Sequence, residues 1–204
     1  MGKAIMGFVL VVLMAAGGAA RADKVTDSMD KARSAYGNGK LTSASRELQF
    51  ALGGLRKRLT KAYGSTMPAA PSGWKARKAR SRRRAMGPFG AGISAQRSYN
   101  QDGGRARASA QIIVDNPMLQ AMAAMFANPT MAANSGYERL SIDGLNQPAF
   151  IKYDEDRKRG EVVILLAGRV YLKVSASRIE SDDVLKDLAN GWNIKKIKEV
   201  AEIQ

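Results

Sequence analysis

The feature that most constrains the fold is a series of short segments in the C-terminal half that alternate apolar and polar residues. A period of two predicts strands that bury one face. The segments cover residues 92–100, 107–115, 137–144, 149–155, 161–167 and 170–177. Because short turns such as Asn-Gln-Asp-Gly-Gly join neighbouring segments, we predict hairpins and a mainly antiparallel sheet of about six strands.

Helical patterns accompany these strands. Pro117 opens a predicted helix that stops by Pro129, Ser181 is placed to cap a helix over residues 182–190, and a short helix closes the chain. Two or three helices therefore pack on the sheet, and residues 92–204 are predicted to form an α+β domain.

A helical hairpin is predicted over residues 23–63. Val25, Met29, Ala32 and Tyr36 follow helical spacing, the sequence Gly-Asn-Gly breaks the helix, and a longer helix follows. The apolar stripe of the second helix is a candidate partner-binding surface, formed by Leu48, Leu52, Leu55 and Leu59.

The N-terminus has the pattern of a signal peptide over residues 1–22. Lys3 precedes an uncharged run that ends in small residues, and Ala20 and Ala22 form an A-x-A site. We therefore expect cleavage between Ala22 and Asp23 and a periplasmic or secreted protein without an integral membrane span after cleavage. An uncleaved anchor is the alternative, but the run is near the lower length limit for a span.

The positive charge is concentrated in one part of the chain. The net charge is +15, yet residues 85–204 carry fifteen basic and fourteen acidic side chains. Residues 64–91 are predicted to be a flexible basic linker, and its cations are candidates for binding an anionic surface: Lys75, Arg77, Lys78, Arg80, Arg82, Arg83 and Arg84. A solvated linker without a partner and an edge strand starting at Trp74 are the alternatives.

The composition excludes several classes of enzyme. The chain has no cysteine and no histidine, so disulfides, thiolate metal sites and Ser-His-Asp or Cys-His nucleophiles are impossible. We predict a protein that is not an enzyme and has no cofactor. An enzyme would need a deep pocket where Lys152, Glu161 or Tyr171 converge with other polar groups.

Two patterns allow a metal site but favour a simpler interpretation. Asp154 and Asp156 lie in the sequence DEDRKRG between two predicted strands, which is typical of a charged turn and lacks the ligand count of a calcium loop. Met118, Met122 and Met125 recur at helical spacing; thioethers suit Cu(I), but methionine also fills irregular cores.

Two motifs resemble those of uncharacterised exported proteobacterial proteins. The first is P-x-x-P-x-G-W, formed by Pro68, Pro71, Gly73 and Trp74, and the second is the stretch DNPMLQAMAAMFANP over residues 115–129. The order of strands and helices also resembles that of PsbP-like proteins. The resemblance implies an exported domain without an established activity.

These observations predict a non-enzymatic binding or interaction protein of the periplasm. Its basic segment would hold it to anionic lipid, lipopolysaccharide or a wall polymer, because counterion release favours such contacts. Export makes nucleic acid an unsuitable partner. The alternative is an accessory subunit or adaptor of an envelope protein complex that docks through the helical hairpin.

Overall fold

The structure is a computed structural model that describes residues 23–81, 92–147 and 149–203. The predicted signal peptide and the cations Arg82, Arg83 and Arg84 lie outside the described residues. The chain divides into two compact units, and the boundary falls between Leu52 and Gly53. Within the described parts of the chain, no helix is both long and apolar enough to cross a membrane.

The first unit is built from two helices. Helix α1 spans Lys24–Gly37, and helix α2 spans Leu41–Ser65 and so continues into the second unit. The Asp23 carboxylate caps α1 by accepting hydrogen bonds from the backbone N–H groups of Val25 and Thr26, at 2.8 and 3.3 Å. The buried residues of this unit are all small: Val25, Ala32, Ala44 and Ala51.

The second unit contains a seven-stranded sheet in which every neighbouring pair is antiparallel. The strand order is β1-β2-β3-β7-β6-β5-β4. The strands are β1 Trp74–Ala76, β2 Ile93–Gln101, β3 Arg107–Val114, β4 Glu138–Leu140, β5 Ala149–Asp154, β6 Arg159–Leu166 and β7 Val170–Ser177. β3 and β7 join the two halves of the sheet.

The first face of the sheet carries the main core. Helix α5 (Asp183–Asn190) and helix α6 (Ile194–Ala201) supply Leu185, Leu188 and Ile197, which are fully buried. They belong to one core cluster with Ile112, Ile164, Leu172 and Val174 of the central strands. Burial of one such side chain stabilises the fold by about 1.5–3 kcal/mol.

The second face is only partly covered. Helix α3 (Met118–Ala127) and helix α4 (Pro129–Asn134) place Leu119, Phe126 and Ala132 in a smaller cluster with Phe150, Val163 and Tyr171 of the sheet. The Phe126 ring lies 4.7 Å from that of Phe150, centroid to centroid. Polar side chains at other positions of this face line the site described below.

The α+β class predicted from sequence is confirmed, with three differences in detail. The sheet has a seventh strand, because Trp74–Ala76 pairs with β2 and the basic segment therefore begins as an edge strand. The segment 137–144 forms only the three-residue strand β4. Pro129 does not simply end a helix but begins α4, since Asn128 caps it through Thr130 and Met131.

The prediction that Ser181 caps α5 is wrong. The residue before the helix is Asp182, and the Ser181 hydroxyl donates instead to the Asp183 carboxylate at 2.7 Å. Ser181 lies one position before the N-cap residue, so its hydroxyl oxygen is not placed to accept from the first N–H groups of the helix.

The P-x-x-P-x-G-W motif has a structural role. The Pro68 carbonyl accepts hydrogen bonds from the Arg97 guanidinium at 3.0 Å and the Tyr99 hydroxyl at 2.7 Å. Gly73 has φ +74°, a left-handed conformation that favours glycine, and its carbonyl accepts from the Asp102 N–H. The motif therefore fixes the path from α2 into β1.

The DNP motif also has a structural role. The Asp115 carboxylate receives two hydrogen bonds from Arg169, at 2.8 and 3.1 Å, which tie the end of β3 to the β6–β7 turn. The Asn116 side chain accepts from the Met118 N–H at 2.9 Å and so starts α3. Neither motif contributes to the polar region of the sheet.

Candidate functional site

A cleft of about 770 Å³ lies over the uncovered part of the second face. We call it the polar cleft and define it by the side chains that project into it from five strands and the adjoining segments: Arg77, Ser98, Asn100, Arg107, Ser109, Lys152, Asp154, Arg157, Arg159, Glu161, Ser175 and Ser177. Tyr99, Ala108 and Ala176 also border it, but their side chains belong to the core on the first face.

Serine hydroxyls form the floor of the polar cleft. The register places Ser98, Ser109 and Ser175 directly opposite one another on β2, β3 and β7. The Ser109 and Ser175 hydroxyl oxygens lie 3.0 Å apart and share one hydrogen bond. One hydroxyl proton of that pair and several lone pairs remain available to a ligand.

Two arginines flank this floor. Arg107 on β3 and Arg159 on β6 are both register partners of Ser177 on β7, so their backbones are about 10 Å apart. Among the described residues, neither forms a salt bridge. Their guanidinium groups are consequently free to bind a carboxylate, phosphate or sulfate.

The carboxylates of the polar cleft are already paired. Glu161 forms a salt bridge with Lys173 and accepts a hydrogen bond from the Tyr137 hydroxyl. Asp154 accepts from the backbone N–H of Arg157 at 2.9 Å and pairs with its guanidinium at 3.4 Å. With five cations and two paired carboxylates in its lining, the polar cleft presents a net positive charge.

The ionisation of Glu161 follows from its partners. Burial raises the pKa of this carboxyl, but the hydrogen bonds from Lys173 and Tyr137 and the charges of Lys173 and Lys152 outweigh it, so the pKa lies below its ordinary value. Burial and the hydrogen bond to Glu161 raise the pKa of the Tyr137 phenol. At neutral pH the pair is a carboxylate and a neutral phenol.

Lys152 connects the polar cleft to the helical layer. Its ammonium donates to the Ser135 carbonyl at 2.7 Å and lies 5.7 Å from the centroid of the Tyr137 ring. The loop after α4 is thus held by Lys152 and Glu161 together. Of these groups, Lys152 and Glu161 line the polar cleft.

The geometry brings together only part of the basic segment predicted to bind an anionic surface. Arg77 lines the polar cleft, and the backbone of Arg80 forms an isolated bridge with Gln96 beside it. Lys75 is exposed and pairs with Asp102 at 2.9 Å, and Lys78 is exposed. Arg82, Arg83 and Arg84 lie outside the described residues.

The predicted partner-binding leucines do not share one environment. Leu48, Leu52 and Leu55 are 56%, 46% and 41% exposed. Leu59, by contrast, is half-buried and packs against the main core.

The residues considered for catalysis or metal binding do not all lie in the polar cleft. Lys152 and Glu161 do line the polar cleft, whereas Tyr171 is buried in the second core cluster. Met122 and Met125 pack against that same cluster, while Met118 is exposed. The described residues contain no group of three or more acidic side chains placed to hold a metal ion.

Sequence reasoning missed Arg107, Arg159 and the serines because each occupies an ordinary outward position of a half-buried strand. The signal was present, since Ser98 and Asn100, Arg107 and Ser109, and Ser175 and Ser177 occupy alternate positions. Only the register shows that these pairs form continuous rows.

Comparisons of the chain with protein-family models, with curated proteins and with solved structures found no significant match.

Proposed function

We propose that the protein is an exported, non-enzymatic binding protein that holds an anionic group of a cell-envelope molecule in the polar cleft. The observation that carries this proposal is the set of three arginines, Arg77, Arg107 and Arg159, which form no salt bridge with the described residues and surround a floor of serine hydroxyls. Planar guanidinium groups match the geometry of carboxylate, phosphate and sulfate oxygens.

The same geometry favours binding over catalysis. Glu161 is ionised and engaged by Lys173 and Tyr137, so it is a poor proton donor at neutral pH. Burial and the hydrogen bond to Glu161 raise the pKa of Tyr137, so its phenol keeps its proton at neutral pH. The polar groups that remain free are hydroxyls and guanidinium groups, which recognise an anion without transferring protons.

The test is binding of dextran sulfate, with neutral dextran as the ligand control. We expect the purified protein to bind only the sulfated polymer in low salt. The double variant Arg107→Gln/Arg159→Gln should bind about tenfold more weakly or worse, since each cation near an anionic surface contributes about 1 kcal/mol.

A matched variant controls for net charge. Arg105→Gln/Arg139→Gln removes two exposed arginines that lie outside the lining of the polar cleft. This variant should bind nearly as well as the wild type. Equal weakening by both double variants would contradict the proposed site.

The basic segment provides a second arm of the test. Vesicles of phosphatidylglycerol and of phosphatidylcholine distinguish anionic from zwitterionic surfaces, and the variant Arg80→Ser/Arg82→Ser/Arg83→Ser/Arg84→Ser removes most of the segment's charge. If the segment also holds the protein to anionic surfaces, this variant should lose binding to the anionic vesicles. Unchanged binding would leave the polar cleft as the anion site and reject the segment.

A second candidate function is supported by the exposed face of α2. Leu41, Leu48 and Leu52 recur on one side of the helix and are all exposed, although burial of each would be favourable. The helix carries five cations and one carboxylate. This combination fits an amphipathic helix of a partner envelope protein that has acidic residues beside its apolar stripe.

The variant Leu48→Ser/Leu52→Ser tests this adaptor function. An envelope protein that the wild type recovers in high salt should be lost by the variant, because salt screens charges but not apolar contacts. Light scattering gives the competing outcome. A wild-type dimer that the variant converts to a monomer would assign this face to a second copy of the chain and reject the adaptor function.

A further inference from the structure

We propose that the ligand of the polar cleft is an extended acidic glycan that lies across the strands. This inference rests on the anion-binding function proposed above and specifies the ligand class. Three properties of the polar cleft carry it: the spread of its free cations, the hydroxyl floor between them, and the kinds of side chain that do not face it.

The free arginines are too widely spread for one small anion. Arg77 follows β1, and its N–H donates to the Ser98 carbonyl of β2, while Arg159 lies on β6 beyond β3 and β7. Four strand spacings separate the backbones of Arg77 and Arg159, a distance of about 19 Å. Because strand side chains stand roughly perpendicular to the sheet, a ligand that contacts both arginines without drawing them together is a chain with repeated negative charges.

The region between the arginines is suited to hydroxyl groups. Ser98, Ser109 and Ser175 form one row, and Asn100 and Ser177 lie in the next row along the same strands. Hydroxyl and amide groups both donate and accept hydrogen bonds, so they can pair with sugar hydroxyls of either orientation. A glycan whose units carry a carboxylate or sulfate supplies both kinds of partner.

The lining argues against single-stranded nucleic acid and against anionic lipid as the ligand. Proteins that bind single-stranded nucleic acid on a sheet stack bases on aromatic side chains. In the described lining, the only aromatic residue is Tyr99, whose ring is buried on the opposite face. The apolar side chains of the described lining, those of Ala108 and Ala176, likewise belong to the core on that face and leave nothing in the lining to cover an acyl chain.

A length series tests the extended ligand. The probes are galacturonate and its oligomers of increasing length, with neutral malto-oligosaccharides of matching length as controls. Affinity of the full chain should rise by about tenfold or more between the monomer and an oligomer that spans the cleft, because each added contact is made within one complex. For oligomers longer than the cleft, the affinity per binding segment of the oligomer should no longer rise.

Variants at the two ends of the polar cleft make the test directional. Arg77→Gln should weaken binding of the long oligomer by a larger factor than binding of galacturonate, whereas Arg107→Gln/Arg159→Gln should weaken both. Ser109→Ala/Ser175→Ala should weaken the oligogalacturonates but not polyacrylate with the same number of charges, since polyacrylate carries carboxylates and no hydroxyl or amide groups.

The outcomes separate this inference from the function on which it rests. Equal affinity for galacturonate and its long oligomers would overturn the extended ligand but leave the anion site intact. If polyacrylate or single-stranded DNA binds as tightly as an oligogalacturonate with the same number of charges, the glycan is overturned. If no anionic probe binds although circular dichroism shows that the protein is folded, the proposed function itself is overturned.

Discussion

At the residue scale, Arg97 organises the connection between α2 and the sheet. Its guanidinium donates to the carbonyls of Gly64, Met67 and Pro68, at 3.2, 3.3 and 3.0 Å. The last carbonyls of a helix lack partners within the helix, and a cation at this end also interacts favourably with the negative end of the helix dipole. One side chain on β2 thus supplies a donor to one carbonyl at the end of α2 and to two carbonyls of the segment that follows.

Replacement of Arg97 by methionine should therefore be costly. The apolar stem is kept, but three partly buried carbonyls lose a charged donor, and we expect the free energy of unfolding to fall by about 2–3 kcal/mol. Urea denaturation measures it. Tyr99→Phe is the control, because it removes only the 2.7 Å bond to Pro68 and should cost about 1 kcal/mol. Equal losses for the two variants would contradict the role given to Arg97.

Glu161 makes a second residue-level prediction, on the pH dependence of stability. Its pKa is lowered in the folded protein relative to the unfolded chain, so it contributes stability that is present above the unfolded value. The pKa of an unperturbed glutamate is 4.5. We expect this stability to be lost as the pH falls below that value, when Glu161 becomes protonated and releases Lys173.

The measurement compares urea midpoints of wild type and Glu161→Gln between neutral pH and pH 3. The glutamine variant should be less stable at neutral pH, and the difference should shrink as the pH falls. A difference that stays constant across this range would show that Glu161 has the same pKa in both states.

At the scale of elements, α5 packs on β6 at a position where only glycine fits. A Cβ built on Gly160 would lie 2.6 Å from the Lys152 carbonyl oxygen and 2.8 Å from a methyl carbon of Leu185. Leu185 is fully buried, so it has little room to move. The close approach of helix and strand depends on this glycine.

Gly160→Ala should destabilise the protein by about 1–3 kcal/mol, the usual cost of overpacking a core. Gly53→Ala is its counterpart, because Gly53 is exposed in α2 and a Cβ there meets nothing within 4 Å. That variant should leave stability unchanged or raise it by about 0.5–1 kcal/mol, since alanine favours helix. Thermal unfolding distinguishes the two signs, and a neutral Gly160→Ala would refute the packing argument.

At the scale of the whole molecule, the free cations of the polar cleft predict how binding responds to salt. With three arginines released from their counterions, log K for dextran sulfate should fall with log salt at a slope of about −2 to −3. Arg107→Gln/Arg159→Gln should flatten the slope by about 1.5. A slope unchanged by that variant would show that the polymer contacts other cations, such as those of the basic segment.

Much of this fold was predictable from the sequence, and most of the site was not. Alternation located five of the seven strands closely, because each has one buried face. The short β1 was only an alternative to the predicted linker, because three residues, one of them Lys75, give almost no periodic signal. The site depends on register between strands far apart in sequence, which no local pattern contains.

The β3–β7 ladder has a consequence for how the chain reaches this structure. It is the one ladder of the described sheet that joins strands not consecutive in sequence, and its partners lie 56 residues apart at Val114↔Val170 and 70 apart at Arg107↔Ser177. The local ladders within each half of the sheet can therefore form early, whereas the ladder between β3 and β7 can form only after β7 has been synthesised. Until then β3 has an unpaired edge in the middle of the future sheet, and this interval is when the chain is most exposed to misassembly.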